Sequence, residues 1–135
     1  MSHLRQGTVM RFVPAVIFSV AALGSNSVLA QGYSDEYNKC LNISYGQAAT
    51  VKKCVDKELK TQGKILNKNY KKYLKNSSDH LSNIKQQHQL WVNRLNQQCY
   101  YNVSSASIEL QQARCVLEMT MERAYYYQTK QFPYR

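Results

Sequence analysis

Four cysteines constrain what this chain can fold into. Cys40 and Cys54 are separated by 13 residues, and Cys99 and Cys115 by 15. Neither spacing suits a zinc site or a thioredoxin-type redox pair, which place two cysteines two residues apart. Four cysteines allow three pairings. Consecutive pairing, Cys40–Cys54 with Cys99–Cys115, is the one expected, each bridge closing a helix–turn–helix. Loops of this size are worth about 3 kcal/mol each in the chain-entropy model. The bridges matter because the apolar core is thin. Leu, Ile, Val and Phe supply only 19 of the 105 residues from 31 to 135, a level at which charged chains often stay unfolded. Tyrosine makes up part of the deficit, with eleven in that stretch.

Disulfides need an oxidising compartment, and the N-terminus supplies a route to one. Arg5 and Arg11 give a positive start, and Phe12 to Leu23 is apolar for 12 residues. Val28 and Ala30 then stand at the −3 and −1 positions of a cleavage site. This is a secretory leader over residues 1–30, cleaved after Ala30. The apolar stretch is short of the roughly 20 residues a membrane span needs. No second apolar segment follows, so residues 31–135 are expected as one small domain, periplasmic or secreted, without a membrane span. Losing Arg5 and Arg11 takes the net charge from +10 to +8.

The remainder reads as all-α, a bundle of about four helices. Ser34 can cap a first helix with apolar positions Tyr37, Cys40, Leu41 and Tyr45, stopped by Gly46. A second is expected from about Thr50 to Lys75, with Val51, Val55, Leu59, Gln62, Leu66, Tyr70 and Tyr73 on one face. Gly63 lies inside it and marks a point where it can kink. The third carries Leu81, Ile84, His88, Trp91, Leu95 and Cys99 on one stripe. A loop from Tyr100 leads to a fourth helix, Ser105 to Lys130. Its inner stripe is expected to be Ile108, Gln112, Cys115, Met119, Glu122 and Tyr126, widened by Val116, Leu117, Ala124 and Tyr127. Pro133 limits any further helix.

Two polar patterns suggest binding. Lys53, Lys57, Lys60, Lys64, Lys68, Lys71 and Lys75 recur at helical spacing, on the side opposite Leu66. Such a ridge suits an anionic partner. Tyrosines cluster at Tyr100-Tyr101 and Tyr125-Tyr126-Tyr127. Three consecutive residues on a helix are about 100° apart, so at least one must face outward. Catalysis and metal binding have little to build on. The eight acids mostly neighbour basic residues, with Glu122 a candidate inner partner for Arg123. His80 and His88 are roughly 80° apart around a helix with no third ligand. No cofactor, metal or catalytic residue is expected.

Four pieces of sequence fall in an order that resembles a known family. They are Cys54-x3-Glu58, Leu66-Asn67-x2-Tyr70, Trp91-x7-Cys99 and Cys115-x4-Thr120-x2-Arg123. Together they resemble the LprI-like lysozyme-inhibitor N-terminal domain family, small exported helical proteins of bacteria. The chain departs from that pattern at Leu95-Asn96, where the family carries Arg-Asp, and at Gly63, where it carries an acid. The resemblance implies an all-α fold, disulfides, export, and inhibition of a lysozyme or related peptidoglycan-lytic enzyme by steric blocking. Tyr100 and Tyr101 are the candidate contacts, with Asn102 and the tail from Phe132 to Arg135. Animal lysozymes of the common type are basic, and a +8 chain is repelled by them at low salt. A less basic target fits better. The alternatives are a module binding an anionic envelope polymer through the lysine ridge, and an assembly partner packing through its tyrosines.

Overall fold

The computed structural model describes residues 32–102 and 104–131. The expected leader and cleavage site, Pro133 and the tail Phe132–Arg135 lie outside the described residues. Among the described residues there are four helices and no strand: α1 (Asp35–Ile43), α2 (Ala48–Asn76), α3 (Leu81–Cys99) and α4 (Ala106–Lys130), with one 3-10 turn at Ser78–His80 before α3.

Local chemistry sets most of the boundaries. The Ser34 hydroxyl accepts from the Tyr37 backbone N–H at 3.1 Å, and Asp35 and Glu36 fill the first turn of α1, where the helix dipole favours negative charge. At the other end, the Ser44 hydroxyl donates to the Leu41 carbonyl at 2.7 Å. Tyr45 and Gly46 follow in the left-handed region, with φ of 50° and 71°. They turn the chain into α2. Tyr45 was expected on the inner face of α1; it lies past the helix end and points to solvent, while Ser44 is buried. α2 starts two residues before the expected Thr50 and runs 29 residues through Gly63 without a break. Packing along its whole length outweighs the roughly 1 kcal/mol that one glycine costs a helix. Ser105 caps α4, accepting from the Ile108 N–H at 3.3 Å.

The core forms where α2 meets α4. Val51, Cys54 and Val55 pack with Ala113 and Leu117 at one end, and Leu66 with Ala124 and Tyr127 at the other. The two helices therefore run in the same direction, and α3 is the return limb between them. α1 lies on one flank of the pair, placing Tyr37 in the first cluster, and α3 lies on the other, placing Trp91 against the second. The bridges are Cys40–Cys54 and Cys99–Cys115, with Cα atoms 5.6 and 5.4 Å apart. Each ties an outer helix to the central pair.

The face that α4 buries differs from the expected stripe. Ala113, Leu117, Thr120, Ala124 and Tyr127 are buried, while Glu122 and Tyr126 are exposed. Glu122 is thus no inner partner for Arg123. Small residues at 113, 120 and 124 let α2 and α4 approach closely. Cys115 and Met119, which drew the expected stripe sideways, face α3 instead, where Cys115 is bridged and Met119 sulfur lies 3.5 Å from Cys99 Sγ. On α3, Ile84, Leu95 and Cys99 are buried as expected, but Leu81 is exposed.

Candidate functional site

Most of the motif residues form an internal frame. Glu58 is 2 % exposed, and its carboxylate accepts three hydrogen bonds. They come from the Ser34 backbone N–H at 2.9 Å, the Ser34 hydroxyl at 2.5 Å and Gln62 Nε2 at 2.7 Å. One side chain of α2 thus holds the cap of α1. Leu66 and Thr120 are buried, whereas Asn67 is exposed. The buried amide is Asn69, whose Nδ2 donates to the Ala124 carbonyl across the α2–α4 contact at 3.1 Å. Sequence reading passed over Asn69; its place three residues beyond Leu66, on the same helical face, was the available signal.

Tyr70, Trp91 and Arg123 meet at the far end of the bundle. Tyr70 stacks on His88 at 4.3 Å, and the Tyr127 hydroxyl lies 2.8 Å from His88 Nδ1. The Arg123 guanidinium sits 4.7 Å from the Tyr127 ring, 4.6 Å from Tyr126 and 5.8 Å from Trp91, and donates to the Gln87 carbonyl at 3.1 Å. These are cation–π distances. Burial, with Arg123 nearby, lowers the pKa of His88. Burial raises that of Tyr127, and the neighbouring Arg123 pulls it partly back. The cluster clamps α3 onto α4.

Two surfaces remain. The first is the tip where α2 and α4 begin. It carries two turns, each closed by a disulfide. The α1–α2 turn exposes Ile43 at 72 % and Tyr45 at 89 %; the α3–α4 loop exposes Tyr100 at 57 % and Tyr101 at 55 %. The second loop is fastened at several points. Gln112 Nε2 donates to the Tyr101 carbonyl at 3.2 Å, and Ser104 donates to Glu109 at 2.9 Å. Tyr100 lines a shallow cleft with Lys52, Asp56 and Glu109. Lys52 and Asp56 are paired at 2.8 Å, so charge at the tip is nearly balanced. Ile43 and Tyr45 were not singled out for binding in the sequence; the Tyr-Gly pair at a helix stop was the available signal.

The second surface is the lysine face. Lys53, Lys57, Lys60, Lys64, Lys68, Lys71 and Lys75 are all exposed on α2. They lie roughly 150° around the helix from its buried face and span about 33 Å. Lys52–Asp56 is the one ion pair among the described residues, and none of the seven takes part in it. Like charges three and four residues apart cost about 0.2–0.5 kcal/mol per pair. Six such steps leave this face destabilised by roughly 1–3 kcal/mol.

The family model of lysozyme inhibitor LprI matches residues 40–126. The chain belongs to the LprI lysozyme-inhibitor family. The match runs from the first cysteine to the exposed Tyr126, so it takes in both disulfides of this chain, the whole of α2 and α3 and most of α4. A search of curated proteins and one of solved structures give no match. LprI is a family of inhibitors rather than of enzymes. Among the described residues no three His, Cys, Asp or Glu side chains gather as a metal site, and no helix is long and apolar enough to cross a membrane. Family and disulfides together point to a compartment outside the cytoplasm.

Proposed function

We propose that this chain is exported, cleaved after Ala30, and inhibits a lysozyme or related peptidoglycan-lytic enzyme by plugging its glycan cleft with the tip. The observation that carries this reading, beyond family membership, is the pair of disulfide-closed turns at one end exposing Ile43, Tyr45, Tyr100 and Tyr101. Tyrosine is enriched in binding hot spots, because a large amphipathic ring is immobilised at low entropic cost. Fastened turns reduce the ordering cost of binding. Tyr45 holds a left-handed φ of 50°, a conformation that glycine adopts more readily and that often marks a functional turn.

The tip also bears on the charge problem. Most of the positive charge lies along α2 away from the tip, and Lys75 is more than 30 Å from Lys53 along the helix axis. Screening at physiological salt acts over about 8 Å, so a cleft closing on the tip meets little of the ridge.

The test is an inhibition titration of the oxidised protein against a basic animal-type lysozyme and less basic lytic enzymes, at low and physiological salt. Near-stoichiometric loss of lysis is expected for at least one of them. Tyr100→Ser with Tyr101→Ser should weaken it by about tenfold or more with the melting temperature unchanged. Loss of lysis that survives this double substitution undiminished would remove the tip from the mechanism.

A further inference from the structure

The lysine face is independent of the tip, and blocking a cleft makes no use of it. Its shape narrows what it can hold. The seven side chains project from the exposed side of one unbroken helix, and of them only Lys57 lines one of the five best-formed clefts among the described residues. Such a surface cannot enclose a small ligand, but it can lie along an extended one. From Leu59 to Ser78 the sequence has no acidic residue, so nothing on this stretch of α2 competes for the ammonium groups.

Its chemistry narrows the choice further. Every cation on the face is lysine. Arginine's planar fork reads the geometry of a carboxylate or phosphate bidentately, whereas lysine is a compact point charge that pairs with a phosphodiester oxygen in any orientation. No aromatic side chain stands among the lysines. Tyr70 and Tyr73 turn inward, packing against Tyr127. Binders of single-stranded nucleic acid place aromatic rings beside their cations for bases to stack on, and this face offers none. Disulfides place the chain among extracytoplasmic polymers rather than nucleic acids.

We propose that the lysine face of α2 docks a linear phosphodiester polymer of the cell envelope, one without stacking bases, laid along the helix axis. Binding relieves the repulsion between neighbouring lysines and leaves the tip free. The protein can therefore be held on the polymer while the tip engages its target.

The probe is poly(glycerol phosphate), titrated against the oxidised chain from residue 31 onward. The comparison ligand is a single-stranded oligonucleotide of equal charge. Expected is binding to the polymer that weakens by at least about tenfold between 50 and 200 mM salt. Lys60→Gln, Lys64→Gln and Lys68→Gln together should cost about tenfold or more. A triple of equal charge change elsewhere, Lys39→Gln, Lys85→Gln and Lys130→Gln, should cost far less. All six lysines are exposed, so both variants should fold. Equal losses in the two triples would show that net charge alone attracts the polymer and would overturn the proposal. Tighter binding of the oligonucleotide, or no binding at 50 mM salt, would overturn it too. None of these readings needs a lytic enzyme, so they stand apart from the inhibition titration.

Discussion

Replacing Glu58 should release the start of α1. Its carboxylate accepts from the Ser34 N–H, the Ser34 hydroxyl and Gln62 Nε2, at 2.5 to 2.9 Å. Hydrogen bonds to a charged group contribute about 1.5–3 kcal/mol each, but these three share one side chain and do not add. Glu58→Ala also leaves the buried Gln62 amide without that acceptor. A nine-residue helix is marginal by itself. Without Glu58, α1 keeps Cys40–Cys54 and the packing of Tyr37. The loss is therefore bounded by the cost of detaching the first turn, about 3 kcal/mol. For a domain near 100 residues this lowers Tm by roughly 12–24 °C. Glu58→Gln keeps the shape and an oxygen that accepts from the Ser34 N–H and Gln62 Nε2, but sets a donor against the Ser34 hydroxyl, and should cost about half as much. Thermal unfolding gives the magnitude, and amide exchange in α1 gives the place. A Tm within about 3 °C of the parent, with α1 amides still protected, would refute the account. Lost inhibition at unchanged Tm would instead make Glu58 a contact residue.

Other outcomes follow from the same structure. Gly63→Ala should stabilise by about 0.5–1 kcal/mol, because a Cβ there meets nothing within 4 Å; equilibrium denaturation by urea measures it. His88 titrates below its ordinary value of 6.5 because it is buried near Arg123. Above pH 6.5 it is neutral whether the chain is folded or unfolded, and contributes no pH dependence. As pH falls below 6.5 the unfolded chain takes the proton first, so stability drops, by at most about 1.4 kcal/mol per pH unit, until the folded pKa is passed. Tm at pH 7.5, 6.5 and 5.5 should show this fall, and His88→Gln should flatten it. Tyr45→Gly should leave stability unchanged or higher while weakening inhibition, since glycine adopts a φ of 50° without strain; paired melting and inhibition curves decide it. Reducing both bridges removes roughly 6 kcal/mol in the chain-entropy model and should unfold the domain at 37 °C, visible as lost far-ultraviolet dichroism.

Much of this fold was legible because exposure follows polarity on a long helix. The lysine face and the Val51-to-Leu66 stripe are two sides of one periodic pattern, and either predicts the other. The consecutive disulfides were legible because each spans a single turn between helices. The inner face of α4 was not, because Ala113, Thr120 and Ala124 carry almost no hydrophobic signal; their burial follows from how closely α2 approaches. The role of Glu58 was hidden for a different reason. A carboxylate in a lysine-rich helix looks like a surface charge until Ser34, 24 residues earlier, is brought beside it. Tyr45 looked like the next apolar position of α1 because the pattern continues one step past the point where the backbone turns left-handed.

The parallel course of α2 and α4 also sets when this protein can fold. The Asn69–Ala124 contact spans 55 residues of chain, and α2 finds its main partner only in α4, the last of these four helices to be synthesised. While the chain emerges from the ribosome, the apolar side of α2 has only α1 to cover part of it, and α3 has little beyond the Tyr70 ring of α2 to dock on. The nascent polypeptide therefore stays loose until α4 has been made. For the export proposed above, that is the state a secretion channel requires of its passengers, and the same topology would delay collapse until the thiols can be oxidised.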